Sequence, residues 1–146
     1  MKSEPIVFGI QHLIQSKNRT EPWDGVRNYQ ARNFICEMRK GDNAFFYHSN
    51  CKTPGIVGTM EIISNPYPDN SALDPKSRYF DLKSTPENPR WYQIDVQFKE
   101  KFEKTISLHD LKINPKLKNI LLIRKGNRLS ITPIEKEEWE SILNMK

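Results

Sequence analysis

The stretch from Tyr92 to Phe102 restricts the fold more than any other part of the chain. Tyr92, Ile94, Val96, Phe98 and Phe102 fall on even positions, with Gln93, Asp95, Gln97, Lys99 and Lys101 between them. This period-two alternation puts one row of side chains into a core and leaves the other wet, as in a half-buried β-strand. Two more strands read nearby. Asn43–Ser49 is rich in aromatic residues, and Ile56–Ile63 carries Gly58 in its middle, which points to a close backbone approach or a bulge. Ile120–Arg124 reads as a buried strand, and the turn Lys125–Arg128 leads to a last strand at Leu129–Ile131. Helical spacing brackets these strands. Phe8–Gln15 fits a short helix, residues 16–22 a polar loop, and Ala31, Phe34, Ile35 and Met38 one face of a second helix. Asp24 is its expected N-cap, and Gly41 its stop. Ser107 and Asp110 form a capping box for a short helix; Thr132–Glu135 forms another for a terminal helix anchored by Trp139, Ile142 and Leu143. The order predicts an α+β domain built round a small barrel or curled sheet.

Length and charge bound the rest. The 146 residues suit a single domain spanning positions 1–146. No run approaches the roughly 18 apolar residues of a membrane span, and Met1–Pro5 lacks the apolar core of a signal peptide. A soluble, intracellular protein is expected. Cys36 and Cys51 read as free thiols. The net charge is +5, and the last twelve residues, with four Glu and two Lys, carry −2 of it, so residues 1–134 hold +7. That balance favours a polyanionic partner. Residues 64–90 hold five of the ten prolines, yet also Tyr67, Tyr79 and Phe80, so an ordered loop that packs on something is expected.

Phosphate-cradling GxxxxGK[ST] and GxGxxG motifs are absent, as are the GxSxG elbow and the zinc deaminase pattern. Cys36, His48 and Cys51, with His12 or His109, match no zinc spacing, so no metal or other cofactor is expected. His48-Ser49-Asn50-Cys51 could set a base beside a thiol, which leaves a nucleotide-acting enzyme as one alternative. Pro22–Phe34 admits two readings. It is either a half-buried amphipathic helix with a packing Trp23, or one wall of a pocket with Trp23 at the mouth of a helix N-terminus.

Several stretches taken together are more specific: Met1-Lys2-Ser3-Glu4-Pro5, Trp23 to Phe34, Phe45 to Asn50, Pro54 to Gly58, Pro89-Arg90-Trp91 and Gly126 to Ser130. In this order and spacing the chain resembles the EVE domain family over essentially its whole length. The resemblance implies a PUA-like fold, a small mixed β-barrel flanked by helices, related to YTH domains. It also implies a non-enzymatic module that reads a flipped modified base, chiefly a modified cytosine in DNA. An RNA-binding accessory protein in RNA modification or translation is the alternative from the same superfamily. Lys2, Ser3 and Glu4 would form one pocket wall at the end of a short first strand. Trp23 would be an aromatic plate, with Val26 and Asn28 beyond it and Phe46, Tyr47, His48 and Ser49 across the pocket. Arg19, Arg27, Arg32, Lys52, Arg78 and Arg90 are the candidates for phosphate. Trp91 reads as core and Arg128 as part of a turn. A monomer is expected, cytoplasmic in a microbe or nuclear in a eukaryote.

Overall fold

Strand β6 (Tyr92–Ser107) is the spine of the molecule in the computed structural model, which describes residues 1–146. On one side it pairs antiparallel with β4 (Gly55–Ile62) and, nearer its start, with β5 (Tyr67–Pro68), and on the other with β2 (Thr20–Trp23). β4 pairs in turn with β3 (Asn43–His48), and β3 runs parallel to β1 (Lys2–Ser3). The sheet order is β1-β3-β4-β6-β2, so the mixed sheet curls without closing and leaves β1 and β2 as its two edges.

The curl has a local cause. The register steps from Ile56↔Ile106 to Gly58↔Lys101, and shifts again between Thr59 and Met60. Such bulges bend the longer strand and increase twist. At the bend, a Cβ on Gly58 would lie 2.1 Å from the Glu100 carbonyl oxygen and 2.5 Å from Ile10 Cδ1, so no side chain fits. The bend also divides the apolar residues of β6. Ile94 and Val96 join one core with Trp23, Phe46 and Met60, under the helices α2 (Ile10–Gln15) and α3 (Tyr29–Glu37). Phe102 and Ile106 join a second core with Phe45, Tyr47 and Ile56, under α4 (Leu108–Ile113) and α5 (Lys136–Leu143). No helix is long and apolar enough to cross a membrane.

The expected strands at 43–49, 56–63 and from 92 onward are present, as is the Ser107–Asp110 capping box. Six expectations fail. The helix read at Phe8–Gln15 is broken at extended Gly9, and α3 stops with Met38 as C-cap rather than at Gly41, whose N–H goes to the Ile62 carbonyl at 2.7 Å. Thr20–Trp23 is a strand rather than loop, because β6 offers it a complete antiparallel partner. α3 starts at Tyr29, capped by Asn28 rather than Asp24: Asn28 Oδ1 accepts the Ala31 N–H at 3.0 Å. Gly25, at φ +74°, holds the chain out of helical geometry upstream. Residues 121–123 form a 3₁₀ turn and 129–131 no strand, since Asn127 satisfies the Leu121 carbonyl and the Leu129 N–H with its own amide. α5 begins at Lys136 and is capped by the Glu135–Glu138 box, not by Thr132.

Candidate nucleic-acid interface

A cleft of about 1210 Å³ lies where the curled sheet fails to close. Both free edges line it: Lys2, Ser3 and Glu4 at β1, and Glu21, Pro22 and Trp23 in β2. Asp24 to Asn28 continue the wall after β2, and Ser49 and Asn50 close it at the end of β3. Arg78 and Tyr79 enter from the proline-rich loop, and Arg128 and Ser130 from the segment before α5. The helix α1 (Pro5–Phe8) contributes Val7 and Phe8.

The predicted pocket residues thus divide. Lys2, Ser3, Glu4, Trp23, Val26, Asn28 and Ser49 come together in the cleft, although they span three separate parts of the chain. Phe46, Tyr47 and His48 lie elsewhere. Phe46 is fully buried beneath Trp23, their rings 5.3 Å apart at 76°. Tyr47 points through the sheet into the second core, where burial pushes its phenol up. His48 faces the joint between α1 and α2; its Nε2 accepts the Ile10 N–H at 3.0 Å. Strand alternation accounts for Tyr47 alone; Phe46 and His48 share the other face of β3, their rings 5.5 Å apart, where Trp23 and the start of α2 cover them.

Trp23 also has a different posture from an open stacking plate. Only 6% of it is exposed, and its ring meets Phe8 and Phe46 edge-on. Its indole N–H has no partner in the protein yet is not sealed from solvent. Trp23 therefore offers the cleft a hydrogen-bond donor at its margin. Glu4 precedes α1 without capping it, so its carboxylate remains an open acceptor. Asn28 spends Oδ1 on its cap, which leaves the amide Nδ2 as a donor.

The long loop is held by a charge pair that the sequence did not advertise. Arg27 donates to Asp69 at 2.9 Å and to the Tyr79 carbonyl through both Nε and Nη2, at 3.0 and 2.7 Å. Asp69, 1% exposed, also accepts the Gly25 N–H at 2.9 Å. Burial works against its charge, yet hydrogen bonds from Ser71, Arg27 and Gly25 hold its carboxyl below the usual range. The Tyr79 ring lies so close to Gly25 that a Cβ there would sit 2.6 Å from it. Burial, reinforced by Asp69, pushes the neighbouring Asp24 carboxyl up, and burial lowers the Lys2 ammonium.

Of the phosphate candidates, Arg78 lines the cleft, its guanidinium 5.0 Å from the Tyr79 ring. Arg27 lines it too, but its donors are engaged inside the chain. The others lie outside it. Arg19 packs on Phe98, Arg32 donates to the Arg90 carbonyl and Asn33, and Arg90 pairs with Asp81 at 4.0 Å. Lys52 is exposed in the turn after β3. Arg128, read as part of a turn, lies in the cleft wall. Its signal in the sequence was its place in the Gly126–Ser130 stretch, which β1 joins in the structure through the Lys2 N–H and the Ser130 carbonyl at 2.8 Å.

No group of three His, Cys, Asp or Glu side chains could hold a metal. Nor do His48 and Cys51 form a base–thiol pair. The histidine's Nε2 is taken by Ile10, and the thiol lies 3.9 Å from the His48 carbonyl.

The family model of the EVE domain matches residues 1–145. The chain belongs to the EVE domain family. Thymocyte nuclear protein 1 of Danio rerio is 43% identical to this EVE domain over all of the chain and 70% of its own length. The Homo sapiens protein of the same name is 40% identical over all of the chain and 72% of its length. Among solved structures, a protein of Pseudomonas syringae superposes with a TM-score of 0.95 at 46% identity, covering 99% of this EVE domain and 96% of that chain. Human thymocyte nuclear protein 1 in complex with DNA containing 5-methylcytosine superposes at 0.93, with 41% identity over 99% of this EVE domain and 94% of that chain. The mixed, barrel-like sheet flanked by helices is the PUA-like architecture implied by the family resemblance.

Proposed function

We infer that this EVE domain reads a modified cytosine in DNA, with the base turned out of the helix into the cleft between β1 and β2. The observation that carries this reading is the near superposition on human thymocyte nuclear protein 1 bound to 5-methylcytosine DNA, over 99% of the chain. The cleft's own chemistry agrees. A cytosine edge offers an amino donor and two acceptors, N3 and O2. Among the polar groups of the lining that could meet these are the Glu4 carboxylate as acceptor and Trp23 Nε1 and Asn28 Nδ2 as donors. Lys2, Arg78 and Arg128 supply positive charge for phosphates at the same cleft, while Glu4, Glu21 and Asp24 keep it from being uniformly basic. The curated relatives carry the name of a nuclear protein, and the human one is seen in complex with DNA, which suits a binding module. A binding role needs no reactive group, and no activated nucleophile faces the cleft.

The test is binding to oligonucleotides that differ only in one methyl group. Burying a methyl is worth about 0.8 kcal/mol, so the 5-methylcytosine strand should bind roughly fourfold more tightly than its unmodified twin. Equal affinities at fixed salt would remove the reading. An RNA strand of the same sequence serves as competitor, and RNA that outcompetes the modified DNA would favour the RNA-binding alternative instead.

A further inference from the structure

The most exposed large apolar residue of the molecule is Ile6, at 89%, with Val7 beside it at 49%. Both belong to α1, a single turn between the β1 wall of the cleft and α2. Val7 lines the cleft, and Ile6 precedes it on the same turn, outside the lining. A lone exposed isoleucine needs no explanation, but this one is held in place with unusual care. Pro5 begins the turn, and the Val7 and Phe8 N–H groups both return to the Glu4 carbonyl at 2.9 Å. Phe8 anchors the turn from beneath, 6.0 Å from the rings of both Trp23 and Phe46. At the far end, two imidazoles accept backbone N–H groups: His12 Nδ1 from Gly9 at 2.8 Å and His48 Nε2 from Ile10 at 3.0 Å. The result is a braced apolar tip on the rim of a cleft that also carries Lys2, Arg78 and Arg128.

We propose that Ile6, with Val7 behind it, is a wedge that enters duplex DNA at the step vacated when the base turns into the cleft. This rests on the reading of the cleft given above. Turning a base out leaves two unstacked neighbours, and apolar side chains inserted between base steps offset that loss. A wedge must be stiff, because a floppy one would spend its burial on being ordered. Continuity with the cleft selects the occupant: the same phosphates that approach Arg78 and Arg128 bring the gap in the stack to the rim. Leu82 and Ile113, 81% and 65% exposed, also protrude, but neither borders the cleft.

A wedge works only where there is a stack to open, which gives the experiment its two arms. Affinities of wild type, Ile6→Ser and Leu82→Ser are measured for a 5-methylcytosine oligonucleotide and its unmodified twin, each as single strand and as duplex. A 2-aminopurine placed beside the modified base reports unstacking by its fluorescence. Ile6→Ser should weaken duplex binding about tenfold and suppress the fluorescence rise, while single-strand affinity stays within twofold of wild type. Leu82→Ser should match wild type on both substrates. Unchanged duplex binding by Ile6→Ser, or an equal loss on both substrates, would overturn the wedge. If wild type shows no preference for the modified single strand, the reading of the cleft itself falls, and the wedge falls with it.

Discussion

Trp23 shows how one residue can be both core and site. Phe8 and Phe46 hold its ring, and little of its surface remains open, so removing the side chain leaves a large cavity under the cleft. Trp23→Ala should cost about 3–5 kcal/mol, visible as a lowered urea midpoint, and would confound any binding assay. Trp23→Phe is the sharper variant. It keeps most of the aromatic packing and deletes the Nε1–H. If that donor reads the base, Trp23→Phe should retain a cooperative unfolding transition and lose most of the preference for modified over unmodified cytosine. A Trp23→Phe protein that discriminates as well as wild type would remove the indole N–H from the reading. The residue scale is also where the sequence was least informative. Motif resemblance led to Ser3, Glu4, Asn28 and Ser49, all in the cleft. It could not tell that Phe46, Tyr47 and His48, adjacent in sequence to Ser49, look elsewhere, because Tyr47 takes the opposite face of β3 while Trp23 and Ile10 cover Phe46 and His48. Asp69 was invisible for a different reason. Its partner Arg27 lies far away in sequence, and nothing local in Pro68-Asp69-Asn70 signals a buried ion pair.

Among the elements, those with strong internal periodicity were legible and those defined by a partner were not. The β6 alternation and the apolar faces of α3 and α5 could be read directly. β2 could not, since Thr20-Glu21-Pro22-Trp23 becomes a strand only beside β6, and Pro22 suits an edge position. Residues 121–131 erred in the other direction, apolar enough for strands but satisfied locally by Asn127. The α1–α2 joint is the element whose behaviour should depend on pH. His48 Nε2 must keep its lone pair to accept from Ile10, and burial, together with nearby Lys101, holds the imidazole below its ordinary value of 6.5. His12 and Glu103 are the other titratable side chains around it. With the folded value depressed, the unfolded chain takes up this proton first. Stability from His48 is therefore complete above pH 6.5 and declines as pH falls through 6.5 toward the lower folded value. His48→Gln keeps an acceptor for the Ile10 N–H and removes the titration. Between pH 8 and pH 5, wild type should lose more stability to urea than His48→Gln does. Equal losses would mean that the joint does not couple to this proton.

At the scale of the whole molecule, the open edges of the sheet are what make a site possible. Free edges expose unpaired backbone groups and are usually covered or blunted. Here β1 is two residues long, β2 carries a proline, and the gap between them is lined by charges of both signs rather than by another strand. The formal charge of +5 is thus not concentrated in the cleft, where Lys2, Arg78 and Arg128 face Glu4, Glu21 and Asp24. Affinity should then depend on few phosphate contacts, and choice of base on the groups inside. Each phosphate neutralised on duplex DNA contributes a slope of about −0.9 to log K against log salt. Arg128 is exposed and has no partner that would be stranded by its loss. Arg128→Ala should make the slope shallower by roughly 0.9 and weaken modified and unmodified duplexes by the same factor. The ratio of the two affinities should stay at its wild-type value across the salt series. A ratio that collapses in Arg128→Ala would move this arginine from the backbone to the base, and with it the boundary between what holds the DNA and what reads it.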